Sequence, residues 1–228
     1  MASKSDKSVA KNAASILLVE GKNDFYVVQA LFEQLGVPQT FYVIDPEKQV
    51  ASGVEYVFAD IPVRLKQATL ERLGIIVDAD SAGAKERWQQ LHSIFLNVGM
   101  QLPTEIPFEG FVADIPYILA PKGSLRLGIW LMPDNSSAGM LEDFMRLLIP
   151  TNDLLLRHAE ASIDDILAQN LNLFVPAHRM KALLHTWLAW QKDPGTPLGL
   201  AITKKYFSTD TPITKAFISW IHRLFINS

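Results

Sequence analysis

A chain of 228 residues, 49% hydrophobic and 20% charged, is long enough to bury a sizeable core and has the composition of a globular protein. It holds no cysteine, which excludes disulfides, a thiolate nucleophile and any Cys-based zinc site. Its 21 Lys and Arg against 24 Asp and Glu leave a net charge of −3, which argues against strong nonspecific binding to nucleic acid.

Residues 1–14 are polar and aperiodic and read as a disordered tail. No apolar stretch precedes Ile16, so the tail is not a signal peptide. No run reaches 18 apolar residues, so no membrane span is expected and the location is expected to be cytoplasmic. The first strand is Ser15–Glu20, whose aliphatic run suits a strand buried on both faces in a parallel sheet. Gly21 permits a tight turn after it. A helix follows from about Asn23, with Phe25, Val28, Leu31, Phe32 and Leu35 at helical spacing, stopped by Gly36 and Pro38. Asn23 is its candidate cap.

Phe41–Ile44 reads as a second strand, Val54–Phe58 as another strand or hairpin arm, and Ile61–Leu70 as a helix. Leu73–Val77 is a second buried strand, running into Asp78-Ala79-Asp80. Ser81-Ala82-Gly83 then opens a helix to about Leu96, with Ala84, Trp88, Leu91 and Phe95 on one face. Residues 102–122 are Pro-rich, with short strands expected at Gly110–Ala113 and Tyr117–Ala120. Leu127–Met132 is a third strong strand, followed by Pro133-Asp134-Asn135 and a helix start that carries Glu142 and Asp143.

The remainder reads as helical: Thr151–Ala161 and Ile163–Asn170 as one or two helices with Ser162 as a candidate cap, then Ala177–Trp190, Pro197–Tyr206 and Thr214–Phe225. Met180, Leu183, Leu184, Trp187 and Leu188 form an amphipathic stripe. His158, His178, His185 and His222 show no metal-like spacing and read as surface or core residues. The expected organisation is an α/β domain over 15–150, a mainly parallel sheet flanked by helices, with a helical extension over 151–228 packed on it. The first 150 residues carry net charge −5 and the rest +2.

Functional groups of parallel sheets gather at the carboxyl ends of the strands. Glu20, Asp78 and Asp80 belong to that edge. Two like charges about 5 Å apart repel by roughly 3 kcal/mol at an effective dielectric of about 20, so such a group must take up protons or a cation. Carboxylate oxygens favour Mg²⁺ or Mn²⁺ over zinc. The bland alternative makes each acid a helix cap or a solvated strand end. Asp134, Glu142 and Asp143 are either further metal-site acids or, respectively, a turn residue and dipole-complementing acids. Asp24 is likewise either a dipole-complementing acid or a supporting residue of the metal site. Lys22 is a phosphate contact or a solvated charge, and Gly83 serves close packing or approach of a phosphate.

Val19-Glu20-Gly21-Lys22-x-Asp24 at one strand end, then Asp78-x-Asp80-x-x-Gly83 at a later one, resembles the Toprim domain of topoisomerases, bacterial primases, overcoming-lysogenization-defect nucleases and ribosomal-RNA maturases. The resemblance covers about residues 15–135. It implies a Rossmann-like sheet and a Mg²⁺-dependent phosphoryl-transfer centre, with Glu20 as general acid/base and Asp78 and Asp80 as metal ligands. Asp134 and Glu142 would supply further metal ligands, Gly21, Lys22 and Gly83 phosphate contacts, and Asp24 and Asp143 support. Met132-Pro133-Asp134-Asn135 together with Gly139-x-Leu141-Glu142-Asp143-Phe144 resembles a segment of uncharacterised bacterial Toprim-like proteins and extends the match over most of the chain.

A topoisomerase is disfavoured for want of room for a strand-passing domain, and a primase for want of its zinc module and polymerase body. Two functions stay in view. One is a small nuclease with Mg²⁺ or Mn²⁺, acting on nucleic acid. The other is a non-catalytic metal- or nucleotide-binding module working with a protein partner or as a homo-oligomer. An aspartyl-nucleophile enzyme of the haloacid-dehalogenase type is disfavoured, because the first strand ends in Glu20.

Overall fold

The computed structural model describes residues 13–46 and 53–227, so most of the expected tail lies outside the described residues. Five strands form one sheet: β1 Ser15–Val19, β2 Tyr42–Val43, β3 Arg72–Asp78, β4 Phe111–Pro116 and β5 Ser124–Met132. Their order is β2-β1-β3-β5-β4. All neighbours run parallel except β4, which is antiparallel to β5. The chain is therefore an α/β protein with a mainly parallel sheet flanked by helices.

Side chains alternate across the sheet, and each face has its own cover. Ile16, Leu18, Leu73, Ile75, Val77, Leu127, Ile129 and Leu131 face α2 (Val54–Leu65) and α3 (Ala84–Asn97). Leu17, Val19, Ile76, Trp130 and Met132 face α1 (Lys22–Leu35) and the helices after β5. Those are α4 (Leu141–Arg146), α5 (Leu154–Ala168), α6 (Arg179–Ala189), α7 (Leu198–Thr203), α8 (Pro212–Ile221) and a closing π turn, His222–Ile226.

The second face is shaped for the chain's end. Gly74 and Gly128 are register partners on β3 and β5. A Cβ at Gly128 would stand 2.5 Å from Leu224 Cδ2, and one at Gly74 would stand 2.9 Å from the same atom. The paired glycines make a notch that admits Leu224. The strands also satisfy the π turn's carbonyls: Arg72 Nη1 donates to Phe225 O at 2.9 Å and Arg126 Nη2 to Arg223 O at 2.7 Å.

Several elements differ from their sequence reading. Val54–Phe58 is not a strand but the start of α2, which ends at Leu65 rather than Leu70. Its β-branched and aromatic letters suggest a strand, but Val57, Ile61, Arg64 and Leu65 are buried at helical spacing and tertiary packing decides. The two short strands expected within 110–120 are one strand, β4, and residues 117–123 form its turn, with Tyr117 N–H donating to Gly123 O. Of the one or two helices expected over 151–170, the structure has one, α5. Its cap is Asp153, which accepts from Leu156 N–H, while Ser162 lies inside and bonds back to His158 O. The first residue of α1 is Lys22, so Asn23 is helical and Gly21 holds the cap position.

Candidate metal centre

The carboxyl ends of β1 and β3 are tied together by the candidate acids themselves. Asp78 N–H donates to Glu20 Oε2 at 3.1 Å. Asp78 follows Ile76 by two residues and so points to the face covered by α1. There it meets Asp24, which is 6% exposed in the first turn of α1, and Glu142, 4% exposed in α4. Asp78 lies within electrostatic reach of Glu20, Asp24, Asp80 and Glu142.

The charge crowding is visible in the proton affinities. Burial, then the Asp24, Glu20, Asp80 and Glu142 charges, push Asp78 up to about 10. Burial, with Glu20 and Glu142 beside it, pushes Asp24 up to about 7. Burial also raises Glu20, against the Asp78 amide that stabilises its ionised form. Asp24 Oδ1 and Asp78 Oδ1 are buried without a hydrogen-bond partner. Orphaned buried oxygens are costly, and an ion or proton at this edge would relieve them.

Asp80 is placed differently. Its backbone has φ 55°, in the left-handed region, and it exchanges two hydrogen bonds with Gly139, at 2.8 and 2.9 Å. Its Oδ2 pairs with Arg87 Nη2. Gly83 caps α3 at φ 91°, a conformation that disfavours side chains, but its amide already donates to Ala79 O at 3.1 Å. Gly21 leaves room for Asp24: a Cβ there would stand 3.1 Å from Asp24 Oδ2. Lys22 is exposed, with its ammonium 5.9 Å from the Tyr26 ring.

Asp134 and Asp143 serve their own loops. Asp134 accepts from the amides and hydroxyls of Ser136 and Ser137, at 2.7–3.0 Å, and these bonds hold its carboxyl below the usual range against the opposing effect of burial. Asp143 Oδ2 accepts from Met140 N–H at 2.9 Å at the start of α4. The acids gathered with Asp78 thus include Glu142 but neither of these two.

Two cations at this edge, Arg87 and Lys181, are not singled out by the sequence. Arg87 lies on the buried stripe of α3, between Ala84 and Leu91, and a charge on an apolar stripe was the available signal. Lys181 Nζ, on α6, stands 3.7 Å from Glu142 Oε1, and nothing local in the sequence links them. A cleft of about 270 Å³ opens beside Asp80, lined by Gly139, Met140, Asp143 and, from the C-terminal part, Pro176 and Arg179.

The donor chemistry suits a hard divalent cation: carboxylates only, two of them with unpartnered buried oxygens. As the side chains stand, no group of three or more His, Cys, Asp or Glu among the described residues is disposed to hold an ion. Among the same residues no helix is long and apolar enough to cross a membrane. A family model described as "Protein of unknown function (DUF3226)" matches residues 14–226. No curated protein and no solved structure matches the chain.

Proposed function

The chain belongs to the DUF3226 family, and we propose that it is a Mg²⁺-dependent phosphoryl-transfer protein with a Toprim-like fold, a small nuclease acting on nucleic-acid phosphodiesters. The observation that carries this reading is the pair of buried, unpartnered carboxylate oxygens on Asp24 and Asp78, beside Glu20 at the carboxyl edge of a parallel sheet. Asp78, Asp80 and Glu142 would hold the ion. A bound divalent cation would neutralise phosphate charge and polarise the phosphoryl group. Glu20, with a proton affinity raised by burial, is suited to exchange a proton with the attacking water or the leaving oxygen. The amide of Asp78 orients its carboxylate for that task.

One observation favours a second reading, a metal- or nucleotide-binding module without turnover. Asp80 is engaged by Arg87, and the acids near it are not arranged as a ready ligand set among the described residues.

Calorimetric titration with Mg²⁺ and Mn²⁺ tests the site, using wild type and Asp78→Asn. Asp80→Asn is the poorer variant, because it also removes the carboxylate that pairs with Arg87. Binding is expected in wild type and at least tenfold weaker in Asp78→Asn, and equal affinity would remove Asp78 from the site. Cleavage assays on single- and double-stranded DNA and on RNA then separate the readings, with loss of turnover expected in Glu20→Gln. Metal binding without cleavage of any of these favours the module.

A further inference from the structure

The Asp78-Ala79-Asp80 turn rests on a guanidinium. The Arg87 side chain is 8% exposed. Its Nε donates to Asp78 O at 2.7 Å, its Nη1 to Gln90 Oε1 at 2.8 Å and its Nη2 to Asp80 Oδ2. The Phe58 ring of α2 lies 5.6 Å from its central carbon. The fork is held at Nε by a carbonyl, at Nη1 by an amide and on its face by a ring, and Nη2 is the nitrogen turned to Asp80. The partner is built asymmetrically. The Asp80 backbone is fixed through Gly139, while its side chain is 40% exposed. The carboxylate is therefore the part of this contact with freedom to turn.

We propose that Arg87 is a built-in counter-cation of this turn, occupying the Asp80 carboxylate in the metal-free protein and competing with a divalent cation for it. This rests on the metal-binding reading above. It accounts for the contrast within the edge: Asp24 and Asp78 have buried oxygens with no partner, whereas Asp80 is bound. It also accounts for the lack of a ready ligand set among the described residues. Release of Asp80 would not orphan the guanidinium, because Asp78 O and Gln90 still hold it. The Arg87 charge is felt beyond Asp80 as well, since it lowers the proton affinity of Glu20 against the larger effect of burial. A residue that only shaped the turn would weaken metal binding when removed. Removal of a competing cation would strengthen it.

The experiment is calorimetric titration of the full chain with Mn²⁺, in wild type, Arg87→Lys and Arg87→Gln, with thermal melting of each. Arg87→Gln is expected to bind about tenfold more tightly than wild type, because one opposing charge is gone. Arg87→Lys, which keeps the charge, is expected within about twofold of wild type. Equal or weaker binding by folded Arg87→Gln overturns the competition and leaves the metal site standing. Absence of binding in all three overturns the metal site and this proposal with it. Should Arg87→Gln not fold, NMR of the Arg87 side chain in wild type decides, its signals being identified by their loss in Arg87→Lys. The Nη2 signals are expected to shift towards those of an unpaired guanidinium at Mg²⁺ saturation, while Nε and Nη1 stay held by Asp78 O and Gln90; Nη2 signals unmoved by Mg²⁺ overturn the competition.

Discussion

Asp24 occupies the first turn of a helix, where an acid ordinarily faces water and complements the dipole. Here α1 turns that position inward against Asp78 and Glu142, and one of its oxygens has no partner. The sequence shows Glu20, Asp78 and Asp80 at strand ends, because an aliphatic run that stops at an acid can be read locally. It does not show that Asp24 joins them, because that depends on how α1 is rotated on the sheet. Nor does it separate Glu142 from its neighbour Asp143, which bonds Met140 N–H at the start of its own helix. The acid cluster has a consequence for stability. Burial first, and the neighbouring carboxylates after it, raise Asp24 and Asp78 from the ordinary 3.8 to about 7 and about 10 in the folded chain. A raised carboxylate contributes stability that is fully present below pH 4 and is lost as pH rises through the folded value. The melting temperature in EDTA is therefore expected to fall between pH 5 and pH 8, and saturating Mg²⁺ to restore it at pH 8. Asp78→Asn should flatten the EDTA profile and remove the Mg²⁺ response. A profile in EDTA that is level or rising over this window would contradict the crowding. The lowered carboxyl of Asp134 acts below the window and does not compete with the effect.

Among the elements, β1, β3 and β5 are legible because each is a continuous aliphatic run, the signature of a strand covered on both faces. Segments whose letters and packing disagree are not. The start of α2 carries strand-forming letters, and β4 sits in a Pro-rich stretch whose pairing with β5 is a long-range matter. Gly74 and Gly128 are the sharper case. A glycine inside a strand pattern reads as local weakness, yet here the two face each other across the ladder and seat Leu224, more than 90 positions along. Gly128→Ala is expected to destabilise by about 1–3 kcal/mol, the usual cost of overpacking a core. Denaturant unfolding measures this, and the loss on Gly128→Ala is expected to be smaller in a Leu224→Ala background than in wild type, because the shortened side chain makes room for the added methyl. An equal loss in both backgrounds would mean that the notch does not act through Leu224.

At the scale of the whole molecule, residues after 150 supply core as well as surface. Leu183, Leu184, Trp187, Phe217, Trp220, Leu224 and Phe225 are buried in the same cluster as Leu17, Val19, Ile76 and Trp130 of the sheet. Trp220 Nε1 donates to Phe111 O at 3.0 Å, and Arg72 and Arg126 hold the last carbonyls of the π turn. The C-terminal part also reaches the acid edge, through Lys181 beside Glu142 and Arg179 on the cleft beside Asp80. A sequence boundary at 150 marks where strands give way to helices, but composition does not tell whether a shared core crosses it. Here it does, and removing residues 151–228 would expose the apolar face of β1, β3 and β5 together with the inner side of α1. A chain ending at Pro150 is therefore expected to lose fixed packing: near-UV circular dichroism should collapse while far-UV signal persists, with dye binding to exposed apolar surface. A cooperative melt from that shorter chain would show that the sheet and its first four helices carry a sufficient core alone. The helices after 150 would then be a covering layer whose contribution lies at the acid edge.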